Sequence, residues 1–354
     1  MRRLAPVLGF LDQPGDRKVH HQPKPLLGGA AIFIGFLALI IADLVFLYWV
    51  YHLDLQSPSW MIAELNMLAE SAKGVDQALT QLIGFLGGGA LLFGVGLIDD
   101  RFGMSPWFKL IAQIIAAILL YAADIKISLF INHPLVNFCL TLFWIVLITN
   151  SFNLLDNMDG LSGGVAMICL ILLGMSTQIV EKQVLMSSVS FALAGCIAGF
   201  LRYNLYPSTI FMGDAGSLFV GYSVAALTIQ GTFYHSEASA ATAWAVVMPV
   251  VILAVPIFDT LSVILIRVRN GKPIYVGDKN HFSHRLVALG MSHRRAVFFI
   301  HLITLCEGSG ALILALISEP LGAYVVLTQI ILFFVIIAML EQIRNHFNHR
   351  HPHH

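Results

Sequence analysis

Residues 78–106 read ALTQLIGFLGGGALLFGVGLIDDRFGMSP, and this stretch decides the fold class. The run 78–98 holds no charged side chain and is about as long as the roughly 20 apolar residues a membrane-spanning helix needs. Two adjacent carboxylates, Asp99 and Asp100, end it, followed by Arg101 and a Gly/Pro turn. Acids at membrane depth are costly and mark functional sites by default. Such a pair can hold a divalent cation, raise one member's pKa toward that of a neutral-pH base, or simply end a solvated helix.

Working outward, the whole chain has the same character. Of its 354 residues 58% are hydrophobic and only 11% charged, and mean hydropathy is +0.81, where a soluble domain has about 45–50% apolar residues. Twenty basic residues balance 20 acidic ones, so no global field draws nucleic acid, and no nucleic-acid partner is expected. Cys139, Cys169, Cys196 and Cys306 fall in apolar runs without metal-like spacing and read as reduced, packed thiols. The opening MRRLAPVLGFLDQPG has too short an apolar run, followed by charge, for a cleavable signal peptide.

The same ruler marks about ten spans, near residues 26–51, 78–98, 107–123, 135–149, 161–179, 185–201, 209–230, 241–266, 295–317 and 321–342. Loop charge tests the count. With the N-terminus cytoplasmic, all basic residues except Lys73, Lys126 and Lys182 fall on that side, as the positive-inside rule requires. The expectation is therefore an all-α, polytopic membrane protein with both termini cytoplasmic and one domain over 1–354. Residues 1–25 form a cytoplasmic N-terminal segment and 343–354 a His-rich tail without assigned function. A short amphipathic helix is expected near Met61 to Ala72 in the longest outer loop.

This topology gathers every acidic cluster at the cytoplasmic face. In NSFNLLDNMDGLSGG, residues 150–164, Asn150, Asn153, Asp156, Asn157 and Asp159 crowd together; if helical, Asn153, Asp156 and Asn157 share a face suited to a nucleobase, ribose or sugar. In RYNLYPSTIFMGDAGSLFVGY, residues 202–222, Asp214 lies between Gly213 and Gly216 at a helix start. Small neighbours there admit a phosphate or a hard metal such as magnesium, although a tight turn with a cap would read the same. The longest inner loop, 267–295, joins Arg267, Arg269, Lys272, Lys279, Arg285, Arg294 and Arg295 with His281, His284 and His293. Donors to a pyrophosphate are the better reading, since no Cys or acidic partner completes a zinc pattern around His281 and His284.

The order of these motifs resembles the polyprenyl-phosphate N-acetylhexosamine-1-phosphate transferase family. Asp-Asp follows the second span, NxxNxxDNxDGL the fourth, NxxPxxxFMGDAGSL leads into the seventh, and a basic His loop follows the eighth. The resemblance runs from about Asp12 to Arg295 and includes LDQPGDRKVHHQPKPLLGGAAIF near the N-terminus. It is nearer the branch that uses UDP-N-acetylglucosamine than the peptidoglycan-precursor translocase, whose Pro-x-His-His-His-x-Glu run is replaced here by Asp278-Lys279-Asn280-His281-Phe282-Ser283-His284-Arg285.

The resemblance implies transfer of N-acetylglucosamine 1-phosphate from the UDP-sugar to undecaprenyl phosphate at the inner membrane of a bacterium, with UMP released on the cytoplasmic side. It implies magnesium, or manganese in its place, on Asp214. Phe211 would stack on uracil beside Asn204, and Asn153, Asp156 and Asp159 would line the nucleotide and sugar. Asp99 and Asp100 would orient or deprotonate the lipid phosphate. Lys24, Lys109, His281, His284, Arg267 and Arg269 would offset phosphate charge. Direct attack by the lipid phosphate is favoured over a covalent aspartyl intermediate, because a phosphate is already ionised at neutral pH. A homodimer follows by analogy only.

Two departures stand out. The family's His-x-His-His pattern has Ser283 where its middle histidine falls, which leaves open which imidazole meets substrate. The family also usually carries one more helix before the Asp-x-Pro loop. The rival readings are a sister transferase for UDP-N-acetylgalactosamine, a UDP-diamino sugar or the muramoyl-pentapeptide nucleotide, and a secondary transporter, which would need inverted repeats and midplane broken helices.

Overall fold

Glycine and proline punctuate the chain into helices. The computed structural model describes residues 1–13, 22–52, 72–128, 133–180, 183–231, 247–274, 278, 280–316, 322, 324–333, 335 and 337. The expected helix near 61–72, the tail 343–354, Arg17, Lys18, Lys279 and much of the tenth span fall outside them. The chain divides into two compact units, Met1–Thr149 with Gly195–Tyr203 and Thr209–Gln230, and Asn150–Ala194 with Asn204–Ser208 and Gly231–His354.

The first unit opens with α1 (Leu4–Leu8) and an antiparallel two-stranded ribbon, β1 (Leu11–Asp12) and β2 (Lys24–Pro25), a small β element among described residues that are otherwise mostly helical. Then come α2 (Gly28–His52), α3 (Ala72–Phe102), α4 (Pro106–Ala122) and the start of α5 (Pro134–Leu155). The end of α7 (Val184–Asn204) and all of α8 (Gly213–Gln230) complete it. Helix α3 stops where Gly103, at φ +70, takes the left-handed conformation, and α4 restarts with Pro106 in its first turn, the usual asymmetry of glycine after a helix and proline at the next start. Helix α8 is buried almost all round from Gly213 to Thr228 and packs on α3 and α2, as a helix without a polar face must. That packing depends on glycine: a Cβ at Gly96 of α3 would run into the backbone of Asp214 and Ala215.

The second unit holds the end of α5, α6 (Leu161–Val180), the start of α7, α9 (Met248–Ile252), α10 (Ala254–Arg269), α11 (Phe282–Ala288) and α12 (His293–Leu316). Helix α12 packs on α6 and α9 and meets α10 and α11. The expected eighth span is broken at Leu253. Pro256 has no N–H to give the carbonyl of Ile252, and the Cys169 thiol donates to that oxygen instead, at 3.2 Å.

Among the described residues six helices are long and apolar enough to cross a membrane: Gly28–Phe46, Gln77–Phe102, Pro134–Leu155, Leu161–Ile179, Leu185–Asn204 and His293–Ile313. These match the first, second, fourth, fifth, sixth and ninth expected spans. Pro106–Ala122 and Tyr324–Phe333 are shorter apolar helices. The protein is thus a mostly helical, multi-pass membrane protein. The fourth span is longer than its sequence pattern suggests, because α5 carries Asn150 and Asn153 before ending at Leu155.

Candidate active site

In the first unit the site grows from the α3–α4 turn. Asp99 and Asp100 lie in the last turn of α3, and Asp99 Oδ1 accepts the Met104 N–H at 2.5 Å, closing the turn. This fold-back brings Lys109, one turn into α4, within 2.8 Å of Asp99 Oδ2. The same ammonium donates to Asp214 Oδ2 at 2.7 Å. Asp100 faces the start of α8: its two oxygens accept the N–H groups of Asp214 at 2.7 Å and Ala215 at 3.1 Å. It therefore caps α8 from another helix, satisfying donors that a helix start leaves orphaned. Gly213, at φ +71, is the residue that permits this approach, since a Cβ there would stand 2.5 Å from Asp100 Oδ2.

The segment before α8 is laid against the N-terminal ribbon. Phe211 N–H donates to the Pro25 carbonyl at 2.8 Å, and Gly28 and Gly29 donate to the Phe211 and Met212 carbonyls at 3.0 and 2.8 Å. This pairing puts the Lys24 ammonium 4.7 Å from the Phe211 ring centroid, a cation–π contact.

In the second unit the acid and amide motif is a turn rather than a helical face, since α5 stops at Leu155. Asn153 stays on the last helical turn, and Asp156, Asn157 and Asp159 follow it, all partly exposed. Asp159 Oδ2 accepts the Ser208 N–H at 2.9 Å, and the buried Asn204 accepts the Gly160 N–H on Oδ1 at 3.0 Å. Asn157 donates to the Leu154 carbonyl at 2.9 Å and accepts from the Ser283 hydroxyl at 2.6 Å. Ser283, which departs from the family's histidine, is thus buried and tied to this turn.

The basic loop has its own clasp. Arg267 is 1% exposed and reaches Asp278 at 3.1 Å and the Ile274 carbonyl at 2.6 Å. Burial alone would raise the Asp278 pKa, but hydrogen bonds from Arg267 and from the backbone and side chain of Asn280, with the Arg267 charge, outweigh it and hold the carboxyl at about 2. Arg269 is exposed. His281 is buried, its ring 6.3 Å from that of the partly exposed His284.

Sequence reasoning missed Asp259. It is 1% exposed; its Oδ2 lies 2.9 Å from His281 Nδ1 and its Oδ1 accepts the Phe282 N–H at 2.6 Å. The signal was present, an acid inside the apolar stretch 241–266, and it went unread because no second acid stands beside it.

Among the described residues no group of three or more His, Cys, Asp or Glu is arranged to hold a metal ion. Magnesium, however, is commonly held by one or two carboxylates, with water and substrate phosphates completing the shell. Asp99 and Asp214 share the Lys109 ammonium, and Asp100 lies beside them on the first N–H groups of α8; three carboxyl groups gathered at one helix start are hard oxygen donors that fit an ion completed by a phosphate ligand.

Comparison with known proteins identifies relatives of the whole chain. The family model described as glycosyl transferase family 4 matches residues 82–232. A probable undecaprenyl-phosphate N-acetylglucosaminyl 1-phosphate transferase of Bacillus subtilis is 34% identical over 98% of this chain and 88% of its own length. A decaprenyl-phosphate N-acetylglucosaminephosphotransferase of Mycobacterium tuberculosis is 31% identical over 85% of this chain and 75% of its own. An undecaprenyl-phosphate alpha-N-acetylglucosaminyl 1-phosphate transferase of Salmonella typhi is 27% identical, with the same coverage of 85% and 75%. With a relative 34% identical over nearly the whole chain, the chain belongs to glycosyl transferase family 4, on the side of the family that these N-acetylglucosaminyl 1-phosphate transferases represent.

Proposed function

We propose that the protein transfers N-acetylglucosamine 1-phosphate from UDP-N-acetylglucosamine to undecaprenyl phosphate and releases UMP. The observation that carries this reading is the Lys109 ammonium held between Asp99 and Asp214 at the capped start of α8. Phosphoryl transfer asks a protein mainly for positioning and charge neutralisation, and this cluster offers both. The relatives' names supply the sugar and the lipid.

In the reaction an oxygen of the lipid phosphate forms a bond to the sugar-bearing phosphorus. The bond from that phosphorus to the bridging oxygen breaks, and its electron pair leaves with UMP. Lys109 and Lys24 offset phosphate charge, with His281, His284 and Arg269 as further donors from the basic loop. Phe211 offers a ring face to uracil, and Asn153, Asp156 and Asp159 offer polar groups to ribose and sugar. Magnesium, held by Asp214 with substrate phosphate oxygens, would neutralise pyrophosphate charge. Asp100 is engaged as a helix cap, so its contribution is to hold Asp214 in place.

We read ten spans, both termini in the cytoplasm and the reaction at the cytoplasmic face of the inner membrane. Loop charge supports this, and a reporter fused after His354 should read cytoplasmic. The activity is tested in membranes with undecaprenyl or decaprenyl phosphate, magnesium and radiolabelled UDP-sugars, following label into the organic phase and UMP into the aqueous one. Label from UDP-N-acetylglucosamine with equimolar UMP is expected. Label only from another UDP-sugar, or UDP in place of UMP, would overturn the reading.

A further inference from the structure

We propose that Asp259 is a positioning residue of the transferase: it fixes which nitrogen of His281 is presented for chemistry. The inference rests on the transferase reading and deepens it. Asp259 sits inside α10, and its two oxygens serve two consecutive residues, Oδ2 the His281 ring and Oδ1 the Phe282 N–H. One carboxylate thus orients the imidazole and caps the helix that begins beside it. Helix α11 is fixed on α10 at two further points. The Phe258 and Phe282 rings meet edge to face with centroids 5.6 Å apart, and Arg285 donates to the Ser262 hydroxyl at 2.7 Å. Ser283 ties the same turn to Asn157. The loop histidine is therefore held by Asp259 directly and through Phe282 and Ser283, the two residues that follow it.

An ionised carboxylate only accepts, so the nitrogen facing Asp259, Nδ1, must carry a hydrogen. Nε2 is then the nitrogen left for substrate, a lone pair in the neutral ring and a donor in the cation. The contact with Asp259 makes His281 a ring whose tautomer the fold dictates.

The test is Asp259→Asn in the purified full chain. An amide can satisfy Phe282 with its oxygen only by turning its NH₂ toward His281, which moves the ring hydrogen to Nε2. We expect turnover to fall on the order of 10²-fold or more, as when a positioned acid–base group is lost, with KM for UDP-N-acetylglucosamine changed only a few-fold. In protein labelled with ¹⁵N-histidine, the resonance that disappears in His281→Gln should report an Nδ1–H ring in the wild type and an Nε2–H ring in the variant. Asp259→Asn added to His281→Gln should cost no further rate, because the two act as a unit. Wild-type turnover in Asp259→Asn, an unchanged ring tautomer, or a further loss in the double variant would each overturn the proposal. The tautomer readout is independent of activity. A wild type that transfers no sugar phosphate would instead remove the transferase reading and leave the pairing to be judged by its resonances.

Discussion

Replacing Lys109 by Met keeps a side chain of similar length and removes an ammonium shared by Asp99 and Asp214. Two hydrogen bonds vanish, at 2.8 and 2.7 Å, from side chains 20% exposed on the lysine and 11% and 28% exposed on the acids. A hydrogen bond to a charged group contributes about 1.5–3 kcal/mol, and partial exposure argues for the lower half of that range. The pair together is worth roughly 3–4 kcal/mol, near the cost of orphaning a buried charge. The thermal midpoint in detergent should fall by about 4–5 °C, and turnover should fall by about 10²-fold or more, as when an aligned donor is taken from a site of developing charge. Combining Lys109→Met with Asp99→Asn should recover part of the stability, with a coupling of about 1–3 kcal/mol. An unchanged midpoint, or two effects that add to within about 0.5 kcal/mol, would refute the idea that this ammonium holds the cluster together.

Three further expectations follow from the same geometry. Gly213→Ala forces a left-handed residue to carry a Cβ against Asp100, which should cost about 2 kcal/mol or more and lower activity together with the midpoint; an alanine variant with wild-type melting would contradict the role given to that turn. Asp214→Asn should abolish magnesium-dependent turnover in a protein that still melts cooperatively in detergent, whereas near-normal rates would take it out of any metal role. Asp278 sits at about 2 in the fold against an ordinary 3.8, a depression worth roughly 2.5 kcal/mol. Because the folded pKa is the lower one, that stability is present above about pH 5 and is lost as pH falls through the folded value. Asp278→Asn should lack this component, so equal acid sensitivity in variant and wild type would count against it.

Much of this molecule is legible one residue at a time. Spanning helices follow from hydropathy because a bilayer leaves an uncharged run of that length few alternatives. The motifs around Asp99, Asp156, Asp214 and His281 stand out because polar residues beside such runs are costly. The proline break at Leu253 shows where this logic weakens: Pro256 is visible in the sequence, but only the neighbouring Cys169 reveals what becomes of the freed carbonyl.

Pairing is what the linear chain withheld. Nothing in the spacing of Asp99 and Asp100 says that one neighbour bonds an ammonium and the other caps a helix over a hundred residues away. Likewise, Arg267 reads as a substrate cation and folds into a clasp on Asp278, while Asp259 reads as an isolated acid and becomes the partner of His281. The sequence by itself determined the medium, the helices and the inventory of charged groups, because those depend on local transfer energies. Tertiary structure alone decided which charge meets which, because a hydrogen bond is satisfied by distance in space and is blind to distance along the chain.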